Sequence, residues 1–196
     1  MKTSIAAIFA ESISVKERFL QENGDTLEKV IDLIARVFKA GQKLLLCGNG
    51  GSAADAQHIA AEFVNRYLIE RPPLPALALT TDTSALTSIT NDYGPEEIFA
   101  KQIQALGKAG DVMLAISTSG NSSNIVRALE VCRAYGIHTV GLTGGTGGKV
   151  AELVDYLLCV SATTVTPRIQ ETHILVGHVI CEMIDHKLFA TGCRSL

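Results

Sequence analysis

Residues 47–63, CGNGGSAADAQHIAAEF, begin as a glycine-rich turn and continue into a helical pattern carrying His58 and Glu62 four residues apart. That spacing sets an imidazole and a carboxylate on one helix face, about 6 Å apart along the axis, close enough to share a divalent metal or act on one substrate. Asp55 and Asn65 extend the same polar row. In isolation an i, i+4 pair of this kind is also an ordinary exposed contact worth a few tenths of a kcal/mol. Its position argues for chemistry, because both residues fall within three turns of a loop built to approach a ligand.

ISTSGNSSNIVRAL is the second chemical stretch. Ser117, Thr118, Ser119, Ser122 and Ser123 fall between an apolar run and a helical pattern. Hydroxyls and free helix amides then converge without any Lys or Arg, which suits a phosphate monoester on a neutral molecule such as a sugar. A serine-rich loop that only caps its helix is the open alternative. The segment 168–189 adds Gln170, Glu171, His173, His178 and His186 on one long helix. Gln170 and His178 stand about 12 Å apart along it, so they reach one ion together only across a bend or from different subunits. His138 and His186 read as ordinary core or surface histidines.

Two nucleotide motifs compete for the glycines. GNGGSA fits G-x-G-x-x-A, and Asp82 ends the next apolar run where a ribose-binding acid would sit. The polar face of the helix behind the loop, and hydroxyl loops that a dinucleotide does not require, weigh against that reading. TGGTGGKV departs from the P-loop at Thr143 and Val150, and its glycines read as a tight strand-to-helix turn.

The elements that must position these groups alternate along the chain. Apolar runs at 43–48, 75–81, 111–118, 138–144 and 155–161 each end in Gly, Ser or Thr, and helical patterns lie at 53–67, 95–107, 122–135 and 148–153. Continuous apolarity is the mark of strands buried on both faces. The expected architecture is α/β: a three-layer α/β/α sandwich with a five-stranded parallel sheet, ligands meeting the carboxyl ends of its strands. Two N-terminal helices precede the sheet. In the first, Ile5, Ile8, Phe9, Ser12 and Ile13 mark a packed face; the second, DTLEKVIDLIARVFKAG, has Asp25 as its cap. One domain spanning 1–196 is expected.

Composition narrows the partners. The chain has 196 residues, 47% hydrophobic, and a net charge of −3 with 17 Lys plus Arg, so neither nucleic acid nor an anionic membrane is an expected partner. The apolar stretch near the N-terminus is short and broken by Glu11, so it reads as a helix rather than a leader, and no run reaches membrane-spanning length. Cys47, Cys132, Cys159, Cys181 and Cys193 are widely spaced with no CxxC pair, which predicts reduced thiols and a cytoplasmic protein.

CGNGGSAADAQHIAAE, TND at 90–92, GDVMLAISTSGNSSNI, LTGGTGGK and RIQETHI…GH, in that order, resemble the phosphoheptose isomerase family of sugar-isomerase (SIS) domains, over essentially the whole chain. The resemblance implies interconversion of sedoheptulose 7-phosphate and D-glycero-D-manno-heptose 7-phosphate, the first step toward ADP-heptose and bacterial surface glycans. It further implies a homotetramer with active sites at subunit contacts and one zinc per subunit. Positions matching the family's substrate contacts are Asn49, Gly50, Gly51, Glu62, Asn91, Asp92, Ser117, Thr118, Ser119, Ser122 and Gln170. His58, Glu62, Gln170 and His178 match its zinc ligands, and Glu62 with His178 its acid/base pair. Pro167 is a departure, since some relatives carry an acid there. SIS proteins without the catalytic pair bind sugar phosphates or a replication initiator as regulators, and others isomerise shorter sugars; the presence of Glu62 and His178 favours an enzyme.

Overall fold

The computed structural model describes residues 1–189; Cys193 lies outside them. Five strands form one parallel sheet: β1 (Leu44–Gly48), β2 (Ala76–Ala78), β3 (Val112–Ser117), β4 (His138–Gly144) and β5 (Tyr156–Val160), in the order β2-β1-β3-β4-β5. All four pairings are parallel. On one face Leu44, Leu46, Leu114, Ile116, Val140, Leu142, Leu158 and Val160 pack under α1 (Lys2–Lys39), α2 (Gly51–Val64) and α6 (Thr166–Phe189). The other face, with Leu45, Cys47, Met113 and Ala115, is covered by α4 (Ile98–Leu106) and α5 (Ser123–Ala134). The three-layer expectation holds, because strands buried on both faces have no alternating pattern to mislead the reader. Among the described residues no helix is long and apolar enough to cross a membrane. Cys47, Cys132, Cys159 and Cys181 are free thiols.

Four features differ from expectation. The two N-terminal helices are one continuous helix, α1, running straight through Gly24 and Asp25. Glycine in a helix costs about 1 kcal/mol, and the neighbouring Asn23 offsets it. Its buried amide donates to Phe19 O and Cys159 O and accepts from Cys159 N, so it occupies the otherwise open edge of β5. Asp25 therefore caps nothing. Second, Ile5, Ile8, Phe9 and Ile13 do lie on a helix but are 51%, 48%, 67% and 56% exposed, because the N-terminal half of α1 extends beyond the sheet it would need to pack on. Third, residues 83–93 form a helix, α3 (Thr83–Tyr93), that has no buried residue, its short apolar set Leu86, Ile89 and Tyr93 standing among Thr, Ser, Asn and Asp. The pattern at 148–153 is a short 3-10 turn, Gly148–Glu152.

His173 ties α6 to the end of β4. It is fully buried, with Nε2 3.0 Å from Thr143 O, and burial pushes its imidazole down to about 4 from the usual 6.5. Between those values the unfolded chain binds the extra proton and the folded chain does not, so stability falls as pH drops from 6.5 toward 4. The depression corresponds to about 3 kcal/mol. Chemical denaturation at pH 7 and pH 4.5, at fixed protein concentration, is expected to show a smaller loss for His173→Gln than for the unaltered chain.

Candidate functional site

The loops leaving the carboxyl ends of β1, β3 and β4 meet on one side of the sheet. After β1, Gly50 adopts φ 54° and turns the chain into α2 with no side chain capping that helix. Asn49 exchanges two amide hydrogen bonds of 2.9 Å with Asn124 on α5, joining the first loop to the second. In the second loop Ser117 is buried, its Oγ 3.3 Å from Ser122 Oγ and accepting from Gly120 N. Ser122 occupies the N-cap of α5 but makes no capping bond. The serine side chains therefore do not cap α5, and the amides of Ser123 and Asn124 at its start are of the kind that could hold an oxyanion. Thr118 and Ser119 face a cavity of about 310 Å³ bounded also by Thr146, Thr164 and Thr166. A larger depression of about 400 Å³ lies at the opposite, amino ends of β4 and β5, away from these hydroxyls.

The TGGTGG turn has a second use. Gly120 (φ 64°) and Gly147 approach backbone to backbone, so that a Cβ on Gly120 would overlap Gly147 O. Val150 N donates to Gly120 O and Lys149 N to Asn121 Oδ1. One glycine loop thus buttresses the hydroxyl loop. Gly120→Ala combines a backbone clash with a left-handed φ, and is expected to raise KM for a phosphorylated substrate about 10-fold or more while leaving the His and Glu groups in place. Steady-state kinetics checks the split between KM and kcat.

Helices α2 and α6 lie side by side, running in the same direction. Gly177 makes this close: a Cβ there would stand 2.5 Å from Ile59 Cδ1. The next residue, His178, therefore reaches α2, and its Nε2 is 3.3 Å from His58 Nε2, which is 3.1 Å from Glu62 Oε1. These three ligand atoms lie within 4.8 Å of one another. At most one proton can serve a contact between two imidazole nitrogens, so at least one nitrogen presents its lone pair to the cluster. Two imidazoles and a carboxylate converging this way make a donor set that suits a divalent cation. The side chains of His58 and Glu62 are 47% and 26% exposed, open to a small molecule. Tyr67 stacks on His178 with centroids 5.7 Å apart. Asp55, on the same row, is half-buried, and that burial pushes its carboxyl up.

The other expected residues sit elsewhere. Gln170 lies two turns earlier on α6, its Nε2 2.7 Å from where a Cβ on Gly51 would be, at the start of α2. Within the chain it faces the loop end of α2, about 12 Å of helix rise from His178. Asn91 and Asp92 are exposed near the end of α3, Asn91 Nδ2 donating to Asp92 Oδ1 at 2.8 Å. Asp82 caps α3 by accepting from Ala85 N, so the acid a dinucleotide reading needs is otherwise engaged. Pro167 falls in the first turn of α6, where a missing N–H costs nothing. Asn124, Arg71 and Asp185 escaped the sequence reading, because only the fold gives each its partner.

A parallel sheet with a serine loop and a glycine turn at its carboxyl edge defines a SIS domain, and the SIS domain family model matches residues 8–144. A phosphoheptose isomerase from Nitratidesulfovibrio vulgaris (strain Miyazaki F) is 56% identical over 91% of this chain and 86% of its own length. One from Aneurinibacillus thermoaerophilus is 54% identical over 96% of each chain. The structure of a phosphoheptose isomerase from Neisseria gonorrhoeae superposes with a TM-score of 0.87 at 46% identity, covering 94% of this chain and 98% of that one. The chain belongs to the phosphoheptose isomerase family and is an isomerase.

Proposed function

We propose that this chain, one SIS domain over 1–196 with an N-terminal helical extension, converts sedoheptulose 7-phosphate to D-glycero-D-manno-heptose 7-phosphate, the first step of ADP-heptose synthesis. The observation that carries this reading is the convergence of His58, Glu62 and His178 beside an uncapped serine cradle. The phosphate lies on the Ser117, Thr118, Ser119 and Ser122 loop, with Asn49, Gly50 and Gly51 below it. Dimensions support a long substrate. From Gly51 to His58 is about 10 Å of helix rise, and an extended chain advancing about 1.2 Å per bond spans about 8 Å from C2 to a phosphorus on O7.

Glu62 removes a proton from C1 of the ketose. In the resulting enediolate a proton moves from the O1 hydroxyl to O2 through His178, and Glu62 returns a proton to C2 to give the aldose. His58, Glu62 and His178, joined by Gln170 if a neighbouring subunit supplies it, would hold one zinc per subunit, which supplies charge to stabilise the enediolate oxygens. Asn91 and Asp92, exposed near the end of α3, reach substrate only in an assembly. That helix and the bare apolar half of α1 support a homotetramer with active sites at subunit contacts. Paired Phe9→Glu and Ile13→Glu changes are expected to lower the mass measured by light scattering and to reduce turnover with it. Free thiols support a cytoplasmic setting.

Turnover on five-, six- and seven-carbon ketose phosphates tests the assignment. The heptulose is expected to exceed the pentulose at least 10-fold in kcat/KM. Binding of all three with no aldose formed would make the chain a sugar-phosphate sensor instead.

A further inference from the structure

The segment between α2 and β2 turns back over the end of α2, and its Arg71 is buried. Arg71 Nη2 donates to Glu62 O at 2.9 Å and Nη1 to Phe63 O at 2.8 Å, with longer contacts to Pro72 O and Asn65 O. These carbonyls include ones a helix C-terminus leaves without partners. The remaining donor, Nε, reaches Asp185 Oδ1 on α6 at 2.7 Å. One guanidinium therefore holds the backbone of Glu62, the end of α2, and α6 two turns beyond His178. The same segment carries Tyr67 onto His178, and its Leu74 N donates to Phe63 O.

Stability alone does not call for this pair. Asp185 Oδ2 is buried with no hydrogen-bond partner, and a buried ion pair is often no better for folding than apolar residues of equal volume. What an arginine supplies and a methionine does not is direction: its planar fork donates at fixed angles to partners on two helices. Gly177 sets how closely α2 and α6 approach; a fork bonded to both sets how far one slides along the other. A slide of one residue, about 1.5 Å, would break the 3.1 Å and 3.3 Å contacts at His58.

We infer that Arg71, oriented by Asp185, is a positioning residue that fixes the axial register of α2 against α6 and thereby the His58, Glu62 and His178 geometry. It acts through the Glu62 backbone and the Tyr67 segment and touches no substrate. The inference rests on the metal and proton-transfer reading of those three residues.

Zinc competition against a chromophoric chelator, with melting temperature, kcat and KM on the same samples, tests it in four proteins: the unaltered chain, His58→Ala, Arg71→Lys, and the double variant Arg71→Met with Asp185→Leu. Lysine keeps the charge opposite Asp185 but cannot span both helices. Arg71→Lys is expected to fold, to bind zinc about 10–100-fold more weakly and to lose kcat to a similar degree, with KM within about 3-fold. The double variant removes the charges together and is expected to recover the melting temperature while zinc affinity and kcat stay low, which a merely structural pair would not do. Folded Arg71→Lys with unaltered zinc affinity and kcat overturns the inference, as does a double variant that recovers all three properties. If the double variant does not fold, Arg71→Lys decides alone. If the unaltered chain and His58→Ala bind zinc alike, the metal reading fails separately, and the kcat against KM split in Arg71→Lys, which needs no metal, still decides the positioning claim.

Discussion

Glu62→Gln is expected to lower kcat by about 10²–10⁴-fold, the range that general acid–base groups contribute, with KM within a few-fold. Glutamine keeps the shape of the side chain and its place one turn from His58, so the fold and the α2–α6 contact persist. It cannot take a proton from carbon. It is also neutral, so the cluster becomes a poorer cation site, and zinc affinity is expected to fall in the same variant. The unchanged KM follows from geometry: the hydroxyls and amides placed to hold phosphate belong to the β3–α5 loop, not to α2's later turns. Rapid-quench or NMR kinetics on sedoheptulose 7-phosphate, with a parallel zinc titration, checks both halves. Near-normal turnover in this variant would remove Glu62 from the base role.

His178→Asn is expected to produce the second large loss, about 10²–10³-fold in kcat. Asparagine is too short to reach His58 from α6, so it forfeits both the 3.3 Å contact and the transfer of the hydroxyl proton between O1 and O2. Because Glu62 remains, abstraction of a proton from C1 survives in part. The variant is therefore expected to exchange C1 hydrogen with solvent faster than it forms aldose, whereas Glu62→Gln does neither. Deuterium uptake into unreacted ketose separates the two roles, and equal suppression of exchange in both variants would show that the residues act as one inseparable unit.

The parts of the fold that were legible are those where one physical demand fixes residue type. Strands buried on two faces must be continuously apolar, so β1, β3, β4 and β5 fall inside the expected runs at 43–48, 111–118, 138–144 and 155–161. The His58 and Glu62 face was legible for the same reason, since period 3.6 leaves little choice once α2 is granted. Boundaries set by tertiary partners were not legible. Gly24 and Asp25 look like a helix stop and start until Asn23 is seen bridging to Cys159. The stripe Ile5, Ile8, Phe9, Ile13 reads as a packed face, yet the chain itself leaves it exposed. The site itself was half legible: His178 could be named, yet its contact with His58 depends on Gly177 admitting Ile59, a packing fact with no local signature. Arg71 illustrates the limit, because a single arginine in RPPLP gives no sign that it joins two helices.

The central claim is that this site isomerises a seven-carbon ketose phosphate through an enediol. Proton NMR of sedoheptulose 7-phosphate with the unaltered protein in D₂O tests it most directly. The partly exposed Glu62, beside a half-exposed His58, lets solvent exchange with the abstracted proton, so the predicted result is D-glycero-D-manno-heptose 7-phosphate carrying deuterium at C2. Aldose formed with only protium at C2, with no deuterium entering C1 of the remaining ketose, would mean that the hydrogen never exchanged with solvent, and would contradict the solvent-open proton transfer on which the account rests.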